Sequence, residues 1–394
     1  MAANFKPSHS TYEHPSNAPI EDTTVFEQTD TYIFAGVFDG HAGDQCSHFL
    51  RREFLNIFKK HLASKKDVSK ALKIAFKDAD EQYISRARKG NPVREGLYAG
   101  SCAVVVYVDL KDKTVYCGNL GDSRAVLGQV DKTGWAQAMP LSTDHSAGTG
   151  SERHRARMLH PRDENIVVED WDEYLDIYVY LVKNCCMFTR SVGDAYMKIP
   201  EVSMMYNQLV DDRHKIKPLP SKDRPFILNE AEVTVHKMNE HDHYIIVACD
   251  GLWDEMTNDE AVTRVHRYTT QLKGPKEKTS EHLVMFALEK AAQRLNRKDP
   301  SLQVETLQDL LAIPPGREGR KYLHDDISVV VIRLPPAEAV AAGQAIPMSA
   351  EKRPSKWDVV RKAIGEYQKI NDSKRYIMKK WGNVLDEVLR DMKN

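Results

Sequence analysis

Three apolar runs in this chain carry carboxylates at their ends. Phe34-Ala35-Gly36-Val37-Phe38 runs into Asp39-Gly40-His41, and Tyr244-Ile245-Ile246-Val247-Ala248-Cys249 runs into Asp250-Gly251. Asp325-Asp326 immediately precede Ile327-Ser328-Val329-Val330-Val331-Ile332. A short continuous run of strand formers predicts a buried strand. An acid at its tip, with the neighbouring backbone carbonyl, can hold a metal ion. Gly40 has no Cβ, so the chain can bend there and bring its backbone close to an ion. One Asp-Gly pair would be an ordinary turn. Three acid-flanked strands predict one acidic cluster brought together by the fold.

Six segments in order make the pattern specific: Val37-Phe38-Asp39-Gly40-His41-Ala42-Gly43, Gly121-Asp122-Ser123-Arg124-Ala125, Asp144-His145, Arg190-Ser191-Val192-Gly193-Asp194, Cys249-Asp250-Gly251-Leu252-Trp253-Asp254 and Asp325-Asp326-Ile327-Ser328. Over roughly residues 16–334 they resemble the motifs of the metal-dependent (type 2C) serine/threonine protein phosphatases. The resemblance implies an α+β fold, a four-layer α-β-β-α sandwich with two central antiparallel β-sheets flanked by helices. It implies two Mg²⁺ or Mn²⁺ ions, with a third allowed for. The ligand set then falls on Glu21, Asp39, the Gly40 carbonyl, Asp250 and Asp325, with Asp39 bridging the ions and Asp22 orienting water. Asp144 and Asp254 fall on the additional site. Oxygen ligands favour Mg²⁺ or Mn²⁺ over zinc, and two such ions activate water and neutralise a transferring phosphoryl group. His41 is placed to protonate the leaving serine or threonine oxygen; the alternative is a structural histidine at the strand–helix turn. No protein nucleophile is needed.

The chain also departs from the family pattern. Many members carry an arginine upstream of the Glu-Asp pair, where it grips the substrate phosphate. Here the segment is His14-Pro15-Ser16-Asn17-Ala18-Pro19-Ile20-Glu21-Asp22. Asn17, with His160-Pro161 and Leu310-Leu311-Ala312-Ile313-Pro314, is similar to the pyruvate dehydrogenase phosphatase-like branch. Asn17 is either a neutral donor to substrate phosphate or a turn residue. The segment at Arg190 reads as a loose match to serine-arginine-x-x-glycine-aspartate, because Arg precedes Ser. Asp122 reads as a structural acceptor in a tight turn.

The elements that must position these groups follow from periodicity. Residues 1–19 are polar and turn-rich and are expected to run over the surface, before a strand at Thr23–Phe26. Phe49, Leu50, Phe54, Ile57 and Phe58 give a helical stripe within 44–62, and Ala71, Leu72, Ala75, Phe76 and Ala79 a second within 68–88. Strands are expected at 99–108, 114–119 and 123–130, and short ones at 179–182 and 185–188. Residues 152–159 and 280–295 read as helices, and Asn258 as the N-cap of another. Residues 195–225, with four prolines, correspond to a variable flap, and 298–323 is an insertion before the last strand. The phosphatase domain is expected over 1–334, a Pro/Ala/Gly-rich linker over 335–350 and two amphipathic helices over 351–394. Those helices either pack back on the domain or dock a protein partner.

Composition excludes several classes. Of 394 residues, 56 are Lys or Arg and 57 Asp or Glu, so no overall charge draws the chain to nucleic acid or membrane. No apolar run is long enough to span a bilayer. The six cysteines are scattered without a Cys-x-x-Cys pair and suit small buried hydrophobes in a reducing compartment. The N-terminus carries no readable targeting signal; a cytoplasmic location is expected, with the mitochondrial matrix as the alternative. The expected function is a Mg/Mn-dependent protein serine/threonine phosphatase acting on a phosphoprotein. A weakly active pseudophosphatase serving as a binding module, and a hydrolase of some other phosphoester, are the competing readings.

Overall fold

In a computed structural model, the structure describes residues 8–334 except 90–95, 173–176, 211–214, 217–224, 299 and 317–318. The linker expected at 335–350 and the helices expected at 351–394 lie outside the described residues. The strands are β1 (Ser8–His14), β2 (Thr23–Gln28), β3 (Tyr32–His41), β4 (Gly100–Asp109), β5 (Thr114–Leu120), β6 (Arg124–Val130), β7 (Ala136–Pro140), β8 (Val167–Asp172), β9 (Ile177–Val182), β10 (Val192–Gly193), β11 (Glu232–Lys237), β12 (Asp242–Ala248) and β13 (Ile327–Arg333). The helices are α1 (Gln45–Lys65), α2 (Val68–Ala87), α3 (Gly150–Leu159), α4 (Ala195–Lys198), α5 (Pro200–Tyr206), α6 (Asp250–Trp253), α7 (Asn258–Thr270), α8 (Thr279–Lys298) and α9 (Leu307–Ala312).

Two antiparallel sheets form the centre. One runs β1-β13-β12-β6-β7, the other β11-β5-β4-β3-β2 with β10 added on β4. The two-residue period of a strand sorts the apolar residues into layers. On β3, Ile33, Ala35 and Val37 face the second sheet, meeting Ile245 and Val247 of β12 and Val330 and Ile332 of β13. Phe34 and Phe38 face outward against Phe54 and Phe58 of α1 and Phe76 of α2. On the opposite outer face, Ile246, Val329 and Val331 meet Val262 and Val265 of α7 and Leu283, Val284 and Ala287 of α8. The result is the expected four-layer sandwich. Asp39 continues the inward parity of Ile33, Ala35 and Val37, which aims it into the mouth between the sheets.

Three local expectations are corrected. Residues 8–14 do not simply run over the surface: they form edge strand β1, Ser8 pairing with Arg333 and His14 with Ile327. Their apolar content is low, but backbone pairing needs none, and the hydroxyl of buried Ser10 lies 2.9 Å from that of Ser280. Residues 185–188 form no strand, only isolated bridges from Cys186 to Val182 and from Phe188 to Ser146. Thr257, not Asn258, caps α7: its hydroxyl accepts from Glu260 N–H while the Glu260 carboxylate accepts from Thr257 N–H. Asn258 instead accepts from Arg124 Nη1 at 2.7 Å.

Candidate metal centre

The registers of the two sheets bring distant acids to one end of the sandwich. Thr23 lies opposite Phe38, so continuing the β2–β3 register sets Asp22 beside Asp39 and Glu21 beside Gly40. The approach is close: a Cβ on Gly40 would fall 2.2 Å from the Glu21 carbonyl oxygen. Ala248 lies opposite Arg124, which directs Asp250 toward Asp122. Ala248 also lies opposite Val329, which sets Gly251 beside Asp326. Asp39, Asp122 and Asp250 each present a carboxylate oxygen, all within 4.8 Å of one another. Asp122 therefore belongs to the cluster, not merely to a turn. No local signal marks it: Asp122 reaches the cluster because β6 pairs with β12.

The electrostatics show what this cluster lacks. Burial, then Asp250, Asp22 and Asp325, push the Asp39 carboxyl well above the usual carboxylate range. Burial, then Asp326, do the same to Asp22, and burial with Asp250 raises Asp325. Glu21 is raised by burial, against the pull of Lys321 and of the Gly43 N–H it accepts at 2.7 Å. Asp22 Oδ2 is buried without a hydrogen-bond partner. Several acids, crowded and desolvated, are stable as carboxylates only with positive charge among them. An all-oxygen donor set of this kind fits a hard divalent cation.

The remaining expected residues take distinct places. Asn17 is buried, and its Nδ2 donates to Asp326 Oδ2 at 3.0 Å. Its amide thus fixes a neighbouring acid, a use the turn-residue alternative comes closer to than phosphate binding does. Asp326, given no role from sequence, also accepts from the backbone N–H groups of Ser16, Asn17 and Glu21 at 2.6–2.8 Å. Asp144 is gripped by Arg124, Nε to Oδ1 at 3.0 Å and Nη2 to Oδ2 at 2.7 Å. Asp254 follows α6, its N–H donating to the Asp250 carbonyl at 2.7 Å, and its charge also favours protonated Arg124. Of the two acids expected at an additional ion, Asp144 is thus paired with a guanidinium and Asp254 lies within its electrostatic reach.

His41 stands at the rim, its side chain 25% exposed. Its Nε2 lies 2.9–3.0 Å from both oxygens of Asp194, which is fully buried, and its ring lies 4.4 Å from that of Phe188. Burial alone would lower the imidazole; Asp194 outweighs it and raises the pKa. Asp194 is a second residue that sequence reasoning left without a role. It lies in the left-handed region at φ +48°, and its carboxylate also accepts from Ser191 Oγ. The segment before it keeps the family spacing: Thr189 precedes Arg190-x-x-Gly193-Asp194, so a threonine stands in place of the serine. Arg190 is buried and paired with Glu152, Nη2 to Oε1 at 2.7 Å.

Comparisons with known proteins agree with this geometry. The family model described as "Protein phosphatase 2C" matches residues 8–294. "Probable protein phosphatase 2C 63" of Arabidopsis thaliana is 32% identical over 81% of this chain and 78% of its own length. "Probable protein phosphatase 2C 64" of the same plant is 34% identical over 76% of this chain and 68% of its own. The solved serine-threonine phosphatase 2C from Toxoplasma gondii covers 83% of this chain and 94% of its own, with a TM-score of 0.53 at 17% identity, a likeness of fold. With the acidic cluster at the mouth of a two-sheet sandwich, these matches show that the chain belongs to the protein phosphatase 2C family of metal-dependent serine/threonine phosphatases.

Proposed function

We propose that the centre binds two divalent ions, Mg²⁺ or Mn²⁺, and hydrolyses phosphoserine and phosphothreonine in a phosphoprotein. The observation that carries this reading is the convergence of Asp39, Asp122 and Asp250 within 4.8 Å, beside the unpartnered Asp22 oxygen. Asp39, Asp250, Asp325, Glu21 and the Gly40 carbonyl would hold the ions, directly or through water, with Asp122 completing the set and Asp22 orienting water. Ions bound there supply an acidified water and neutralise charge on the phosphoryl group.

The chain's own groups do the rest. His41 Nε2 is engaged by Asp194, which leaves Nδ1 as the nitrogen for proton transfer. As the bond from phosphorus to the substrate oxygen breaks, Nδ1 gives its proton to that oxygen. Asp194 holds the ring's tautomer and stabilises its protonated form. The pseudophosphatase reading has less support than the sequence suggested, because the carboxylates converge and the Arg190 segment keeps the family spacing. The free cysteines suit a reducing compartment, in our reading the cytoplasm, with the mitochondrial matrix second. The amphipathic pattern of 351–394 supports either packing back on the domain or docking a protein partner.

Hydrolysis of a phosphothreonine peptide by purified protein, with and without Mn²⁺, is the test. Metal-dependent turnover that falls by more than about a hundredfold in Asp39→Ala is expected, since the ions supply several kcal/mol of transition-state stabilisation. Equal turnover by folded wild type and Asp39→Ala would refute the ligand assignment.

A further inference from the structure

The acid–histidine pair at the rim rests on a buried polar group that the chemistry above does not use. Asp80, on α2, is 2% exposed and lies beneath the loop that carries Asp194. Its Oδ1 accepts from the Gly193 N–H at 2.8 Å and from Lys198 Nζ at 2.7 Å, and its Oδ2 accepts from Asn229 Nδ2 at 2.7 Å. Lys198 Nζ also donates to the Ser191 carbonyl at 2.8 Å. Both ends of the segment 191–193 are therefore tied to one carboxylate, directly at Gly193 and through Lys198 at Ser191.

That segment is the one whose shape decides where Asp194 points. Gly193 has φ +84°, and a Cβ there would fall 2.5 Å from the Ala99 carbonyl oxygen. Asp194 follows at φ +48°, a conformation an L-residue holds only when its surroundings fix it. On its far side Asp194 N–H donates to Ala99 O at 3.0 Å. Around its carboxylate there is little spare room, since a Cβ on Gly100 would lie 2.1 Å from Asp194 Oδ2 and 2.5 Å from His41 Nε2. Small displacements of the 191–193 backbone would move the Asp194 carboxylate off the imidazole.

We infer that Asp80 is a positioning residue for acid catalysis: by holding the Gly193 N–H it fixes Asp194, which in turn orients His41 toward the leaving oxygen. The inference rests on the assignment of His41 as the general acid. Two consequences follow. Loss of the Asp80 acceptor harms only substrates whose leaving group needs a proton. An amide oxygen in its place serves nearly as well, because Gly193 needs an acceptor and not a charge.

The experiment compares turnover of a phosphothreonine peptide with that of p-nitrophenyl phosphate, whose phenolate leaves without a proton. His41→Gln tests the underlying assignment, and the peptide-to-aryl ratio is expected to fall by about 10²-fold or more, the scale of general acid catalysis. Asp80→Leu with Lys198→Met removes both buried charges together and leaves the Gly193 N–H without its acceptor. Its ratio is expected to fall at least about tenfold, part of the same contribution, with faster hydrogen exchange at Gly193. Asp80→Asn with Lys198→Met, which keeps an acceptor oxygen, restores most of the ratio. If the leucine variant does not fold, Asn229→Ala, which loosens Asp80 from its other side, replaces it with a smaller fall in the ratio. Equal losses on both substrates, or no loss, in folded Asp80 or Asn229 variants while His41→Gln lowers the ratio would overturn the inference. An unchanged ratio in His41→Gln would overturn the acid assignment and the inference with it.

Discussion

Two acidic sites in this molecule, one around Glu152 and one at the mouth of the sandwich, are built on opposite principles. Around α3, Glu152 is matched by Arg190 and Arg155 and accepts from Thr189 Oγ1. Burial would raise its carboxyl, but these partners hold it down to about 2. At the mouth of the sandwich, Asp22, Asp39 and Asp325 meet mainly other carboxylates, and all three are raised. The first group is complete without a ligand and serves the fold. The second is incomplete by its own charge and is organised for something that arrives from solution. The supply of cations from the chain itself separates the two: Glu152 is one carboxylate between two arginines, whereas the mouth gathers several carboxylates with few cations.

The sharpest way to break this contrast is to delete one acid from each. Glu152→Ala leaves Arg190 buried without its carboxylate and is expected to cost about 3–5 kcal/mol of stability, measured by urea unfolding. Asp39→Ala relieves repulsion, so metal-free stability is expected to hold or rise. A loss in Asp39→Ala matching that of Glu152→Ala would show that the two clusters do not differ in kind.

Metal should act on only one of them. At about a hundred times its Kd, a divalent ion adds roughly 2.7 kcal/mol to the folded state, read as a rise in Tm. That rise should be absent in Asp39→Ala and retained in a folded Glu152→Gln variant. Protons compete for the same carboxylates, so the shift should shrink as pH falls.

A smaller effect sharpens the comparison without metal. Burial and Arg190 push His145 down to about 4, and burial with Arg320 does the same to His14. Between the ordinary histidine value of 6.5 and about 4, the unfolded chain takes up protons that the folded chain refuses. Stability should therefore fall as pH drops through that window. Glu152 contributes above its ordinary value of 4.5, and that contribution is lost as pH falls toward about 2. Metal-free denaturation profiles in His145→Gln and Glu152→Gln would separate the two windows.

The parts of this design legible in sequence were those written as local pattern. The continuous apolar runs Phe34–Phe38 and Tyr244–Cys249 gave the strands, and the stripe of Phe49, Phe54 and Phe58 gave the covering helix. Acids at strand tips announced the centre, and the family's motifs assigned roles to Glu21, Asp39 and Asp250. What escaped was carried by partners far away in the chain. Asp122 looked like a turn because its proximity to Asp39 and Asp250 exists only once the strands pair. Asn17 and Asp144 looked available for ligands until Asp326 and Arg124 came to meet them. The Asp194–His41 contact joins residues 153 positions apart, and no spacing rule reaches that far. β1 was missed because an edge strand of polar residues is held by backbone pairing, which leaves no hydrophobic signature.

The bond from the Glu21 N–H to Asp326 spans 305 positions, and it has a bearing on how the protein is made. A chain leaving the ribosome presents Glu21 and Asp22 early, but the strand that completes their surroundings emerges near the end of the domain. Domains fold as units during synthesis, and contacts of long separation close late. A nascent or prematurely terminated chain can form the α1–α2 layer and the sheet around β3, yet it has no finished site to load. Completion of the site thus requires synthesis through Asp326.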